Sequence, residues 1–111
     1  MSASDRPLGE LEQLVLLAVL RAGDDAYGVP IQAQLQLHAG REVGRGALYT
    51  VLDRLEQKRL VTSRLGEPLA ERGGRPRRYF EVTALGLERL QSSRRALLAL
   101  WNGLDARLGA S

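Results

Sequence analysis

A chain of 111 residues, 44% hydrophobic and 26% charged, is long enough for one modest core and too apolar for wholesale disorder. It holds no cysteine, which excludes a disulfide framework or Cys-ligated zinc and fits a reducing cytoplasm. The net charge of +3 is unevenly spread: residues 1–40 carry two basic and five acidic side chains, residues 41–78 ten and five, and residues 79–111 four and three.

Met1 to Pro7 is polar and too short for a signal peptide. The most apolar run, Leu14 to Leu20, is seven residues long and cannot span a bilayer, so no membrane association is expected. Leu8 to Ala22 reads as a first helix closed by Gly23. After its first turn it is apolar around nearly the whole circumference. In a domain this small, the second face calls for another subunit. Asp24 to Ala26 forms a polar turn, and a second helix runs from about Tyr27 or Gly28 to Ala39. Pro30 fits its first turn, Ile31 and Leu35 lie four apart on its buried face, and Gly40 ends it. His38, the sole histidine, sits at the favourable C-terminal end and has no second ligand for a metal. Residues 41–45 connect to a third helix, where Gly46 lets the backbone approach a phosphate.

The third helix, Arg45 to Leu60, separates its faces cleanly. Leu48, Val51, Leu52 and Leu55 form one apolar stripe, and the opposite face carries Arg45, Tyr49, Thr50, Asp53, Arg54 and Lys58. Those polar side chains can reach phosphates and base edges. Asp53 and Glu56 are expected to pair on the helix surface with Arg54, Lys58 or Arg59. From Leu60 the helical period breaks. Leu60 to Gly66 and Arg78 to Thr83 read as strands, joined by a Gly/Pro-rich loop over residues 67–77. Arg72, Arg75, Arg77 and Arg78 make this hairpin the most basic stretch, suited to phosphate contacts of strong salt dependence. Thr83 caps a last helix from Ala84 to about Leu108, and Gly109 to Ser111 fray. Leu87, Leu90, Arg94, Leu97, Trp101, Leu104 and Leu108 follow a heptad seam along it. Arg94 either pairs across a dimer with Glu10 or Glu12 or snorkels outward. Trp101 either packs in that interface or forms an aromatic plate for a planar effector.

The order of elements defines a mainly α fold: a winged helix-turn-helix over residues 1–83 and a dimerisation helix over 84–111 packed with helix 8–22. The chain has no G-x-S-x-G, no P-loop and no paired-carboxylate cleft, so no enzyme and no cofactor are expected. A basic excess that coincides with the helix–hairpin region is what a nucleic-acid surface requires. The different-class alternative is a winged helix that binds only other proteins.

Several stretches together resemble the PadR family of bacterial transcriptional regulators. They are Leu8 to Leu20, Ala26-Tyr27-Gly28, Gly46 to Tyr49 with Leu52 to Glu56, and Gly74 to Thr83 followed by Gly86. The single last helix is similar to that of the family's short members. The resemblance implies a cytoplasmic homodimer, usually a repressor of an adjacent operon, on a pseudo-palindromic double-stranded operator. The third helix would enter the major groove, the wing would touch backbone or minor groove, and the first and last helices would dimerise. Many members respond to small aromatic or drug-like molecules, which makes Trp101 the candidate effector contact. The DNA-contacting set carried over is Tyr27, Arg45, Gly46, Tyr49, Thr50, Arg54, Lys58, Arg75, Arg77 and Arg78. Two positions depart from the family pattern. Thr50 stands where proline is common, and Arg59 where glycine is common, so the third helix is expected to end differently.

Overall fold

In the computed structural model, residues 7–68, 73–104 and 106–109 are described. They form α1 (Glu10–Ala22), a 3-10 turn (Gly23–Asp25), α2 (Gly28–Ala39), α3 (Arg45–Gln57), β1 (Val61–Pro68), β2 (Pro76–Val82) and α4 (Ala84–Trp101). The order is that of a winged helix, as the hydrophobic periods predict.

Val15, Leu16, Ala18 and Val19 bury one side of α1, whereas Leu17 and Leu20 on the other side are 47% and 43% exposed. The all-round apolar helix is thus half covered within the chain. Gly9 caps its start: the Glu12 carboxylate turns back to accept the Gly9 N–H at 3.0 Å. The second oxygen of Glu12 accepts from Lys58 Nζ at 2.7 Å, tying α1 to the far end of α3. Glu10 pairs with Arg41. Both acids expected to seek Arg94 across a dimer therefore have partners within the chain, and Arg94 is exposed.

Leu48, Leu52 and Leu55 are fully buried and Val51 nearly so, confirming the stripe of α3. The helix stops at Gln57, three residues earlier than its sequence suggests. Arg59 adopts φ 64° despite its side chain. The Leu60 N–H reaches the Leu55 carbonyl and the Arg59 N–H reaches that of Glu56, each at 2.9 Å. This is the usual left-handed helix stop. The expectation that arginine would alter it is corrected: two hydrogen bonds hold the stop against a backbone cost of about 1–2 kcal/mol.

A two-stranded hairpin is marginal alone. This one is anchored by Val61, Phe80 and Val82, all buried, and the Phe80 N–H donates to the Ala26 carbonyl at 2.8 Å. The strands are antiparallel, with Val61 opposite Val82, Ser63 opposite Phe80 and Arg64 opposite Tyr79. Pairing extends to Pro68 and Pro76, so Arg77 belongs to a strand and not to the expected loop. Gly73 and Gly74, at φ 66° and 83°, make the return turn.

Thr83 caps α4 as expected, its hydroxyl accepting the Gly86 N–H at 3.0 Å and donating to the Arg59 carbonyl at 2.8 Å. Gly86 is required by proximity. A Cβ there would lie 2.3 Å from the Leu60 carbonyl oxygen and 2.7 Å from a Val82 methyl. The helix ends at Trp101 and not at Leu108, because Asn102 turns extended at ψ 126° and Gly103 takes φ 80°. Leu104 and Leu108 of the seam thus lie beyond the helix. Leu87, Leu97, Leu98, Leu100 and Trp101 are exposed along it.

The Glu12 pKa reflects two opposed effects. Burial pushes it up, but hydrogen bonds from Lys58 and the Gly9 amide, with the charges of Lys58 and Arg54, hold it below the ordinary 4.5. Its stabilising effect is present above that value and is lost as pH falls through the lowered one. Glu12→Gln should lower unfolding free energy by about 2 kcal/mol at neutral pH. In thermal melts the gap to the unmutated protein should close on acidification below the ordinary carboxylate range. A gap that persists in acid would mean the carboxylate charge is not its source.

Candidate nucleic-acid interface

The outer face of α3 starts at Arg45, exposed and with its guanidinium carbon 5.8 Å from the Tyr49 ring centroid. Above Gly46 the space is open. Thr50 turns its hydroxyl back to the Gly46 carbonyl at 2.9 Å, so the residue that replaces the usual proline uses that group within its own helix. Tyr49 is half-buried, edge-on to Phe80 with centroids 6.1 Å apart. Its hydroxyl passes close over Gly28, where a Cβ would sit 3.1 Å away, and has no hydrogen-bond partner among the described residues.

A cleft of about 300 Å³ opens between the start of α2, the start of α3 and β2. Tyr27, Gly28, Gln32, Arg45, Tyr49, Arg77 and Arg78 are among the residues that line it. The Arg77 guanidinium lies 4.2 Å above the Tyr27 ring, Tyr27 meets Tyr79 edge-on at 5.5 Å, and Arg64 covers Tyr79 at 4.7 Å. Glycine at position 66 makes room for this stack, since a Cβ would fall 2.6 Å from the Tyr79 ring. The cation–π contacts, each about 0.5–1 kcal/mol at such exposed sites, join the start of α2 to both strands of the wing.

Apart from Arg77, which lies over the Tyr27 ring, the cations of the expected set divide into two groups. Arg45, Arg54 and Arg75 have exposed side chains and form no salt bridge among the described residues, although the charge of Arg54 acts on Glu12. Lys58 and Arg78 are committed to acids: Lys58 to Glu12, and Arg78 to Asp53 at 2.9 Å and Glu56 at 2.5 Å. Asp53 and Glu56 therefore pair with the wing, and not with basic residues of their own helix. Partial burial pulls the Arg78 pKa down, but hydrogen bonds to the two carboxylates more than reverse this. Arg72 lies outside the described residues. Trp101, half exposed, stands at the last residue of α4, away from this face in sequence and in fold.

Ser63, Arg64 and Glu12 were not singled out by sequence pattern as partners of these groups. One signal pointed to Ser63: strand alternation puts it on the buried side with Val61, where a hydroxyl needs a partner. It finds Glu56, to which it donates at 2.8 Å. Among the described residues no group of three or more His, Asp or Glu side chains could hold a metal, and no helix is long and apolar enough to cross a membrane.

A helix with one face sealed in the core and the other polar, flanked by a supporting helix and a basic antiparallel hairpin, defines a winged helix-turn-helix. The profile of the PadR-like family of transcriptional regulators matches residues 16–92. The chain belongs to that family, and is thus a DNA-binding transcriptional regulator by class. A PadR family regulator of Eggerthella lenta DSM 2243 superposes with a TM-score of 0.67 at 28% identity, covering 92% of this chain and 88% of that one. A PadR family regulator of Clostridium difficile R20291 has the same fold, with a TM-score of 0.71 at 22% identity over 90% and 99% of the two chains. An uncharacterised protein of Lysinibacillus sphaericus is 30% identical over 88 residues, 78% of this chain and 76% of that protein.

The two parts of Tyr49 can be separated by substitution. Tyr49→Phe, which removes only the unpartnered hydroxyl, should change stability by less than about 0.5 kcal/mol. Tyr49→Ala, which removes the ring from Phe80, should cost about 1–2 kcal/mol. Thermal melts check both, and a large loss for Tyr49→Phe would show that the hydroxyl is structural.

Proposed function

We propose that the protein is a homodimeric repressor that reads a pseudo-palindromic operator with α3, grips the flanking backbone with the wing, and is released by a small aromatic or drug-like effector. One observation carries the DNA part of this reading. On the outer face of α3 and on the hairpin, Arg45, Arg54 and Arg75 are exposed and in no salt bridge among the described residues, and the Tyr49 hydroxyl is unpartnered. Phosphate is the ligand that such groups suit. Tyr27 and Arg77, which line the cleft between α2, α3 and β2, and Gly46 and Thr50 of α3 belong to the same proposed contact set.

The dimer is supported by the apolar surface left uncovered on two neighbouring helices. Leu17 and Leu20 of α1 and Leu87, Leu97, Leu98 and Trp101 of α4 are at least 42% exposed in the single chain. Residues 84–111 serve as the dimerisation segment in this reading, packing with α1 of both subunits. Trp101 then lies where a planar effector can stack between protomers.

Binding to the DNA upstream of the protein's own gene tests the reading, using fluorescence anisotropy over a salt series. Affinity should fall log-linearly with salt, and Arg45→Ala or Arg54→Ala should each reduce the slope by about 1. Tyr49→Phe should weaken binding while leaving the fold intact. Absence of tight binding to any inverted repeat at moderate salt would defeat the proposal. Light scattering at micromolar concentration should give twice the chain mass, with Trp101 fluorescence quenched by planar aromatic compounds. A stable monomer would remove both the dimer and its effector site.

A further inference from the structure

Asp53 and Glu56 are the acidic side chains of α3, and Asp53 follows Tyr49 by four residues and Thr50 by three. That spacing sets it on the face offered to DNA. A bare carboxylate there would repel phosphate. Arg78 of β2 answers both acids at once. Nη1 donates to Asp53, Nη2 to Glu56 and Nε to Ser63 Oγ at 3.3 Å, while Ser63 donates to Glu56. Its guanidinium lies 4.8 Å from the centroid of the buried Phe80 ring. Three nitrogens and one face of the group are thus engaged within the protein.

We infer that Arg78 is a positioning residue: it neutralises the two carboxylates of α3 and fixes the wing relative to that helix, raising DNA affinity without touching a phosphate. The inference rests on the DNA-binding reading above. A planar fork is needed to bridge two carboxylates and a hydroxyl, so lysine would not replace arginine here, although lysine serves well as a phosphate contact.

The test compares Arg78→Ala, Arg78→Lys, Asp53→Asn/Glu56→Gln and the corresponding triple variant with Arg78→Ala. Binding to the DNA fragment recognised by the unmutated protein is measured across a salt series. Arg78→Ala and Arg78→Lys should both lose about tenfold in affinity, within the range of coupled networks, with the salt slope unchanged. Once Asp53 and Glu56 are neutral, Arg78→Ala should cost less than about twofold. A slope reduced by about 1, binding retained by Arg78→Lys, or an equal loss in both backgrounds would identify a phosphate contact and overturn the inference. A second readout needs no DNA. Hydrogen exchange of the full chain should quicken in β1 and β2 of Arg78→Lys and stay unchanged in α1 and α2. Unchanged hairpin exchange would overturn the positioning role. If the unmutated protein binds no DNA, the functional reading fails, and the exchange result still decides whether Arg78 holds the wing.

Discussion

Leu48, Val51, Leu52 and Leu55 seat α3 against the rest of the core, and every outward side chain of that helix takes its direction from this seat. Three of the four have no exposed surface. A fully buried leucine contributes about 2 kcal/mol by transfer from water. A surface ion pair contributes at most about 1 kcal/mol. The stripe therefore sets the roll of the helix, and the polar contacts adjust what it displays.

The hairpin has no comparable seat of its own. Val61, Phe80 and Val82 lie at its root, where they are buried. Two side-chain systems extend the order outward. One is the Arg77–Tyr27–Tyr79–Arg64 stack against the start of α2, and the other is the Arg78 bridge to α3. They leave the wing from opposite sides of the strand, as alternation of Arg77, Arg78 and Tyr79 dictates. Between them they stabilise the wing against both helices of the helix-turn-helix.

The helices and their inward faces were legible in the sequence because a period of 3.6 residues is a local signal. Ile31, Leu35 and the α3 stripe are buried as that period requires. The partners of charged residues were not legible. Asp53 and Glu56 had Arg54, Lys58 and Arg59 close by in sequence, yet both pair with Arg78, 25 and 22 residues distant. Glu12 meets Lys58 across 46 residues. Such choices depend on how elements dock, which no short window contains. The end of α4 is hidden from the sequence for a related reason. The seam's spacing continues through Leu104 and Leu108, but the backbone leaves the helix at Asn102 and Gly103, where local conformation overrides pattern.

Leu60 is a meeting point for three elements. Its N–H closes α3, its carbonyl accepts the Thr83 N–H at 3.0 Å, and Gly86 lies against the same oxygen with no space for a methyl group. The start of α4 is thus fixed against Leu60, with Leu90 buried in the core further along, and the helix runs about 27 Å for eighteen residues to Trp101. Because the Leu60 carbonyl leaves no room at Gly86, the first turn of α4 and the base of the wing are fixed to each other at this point.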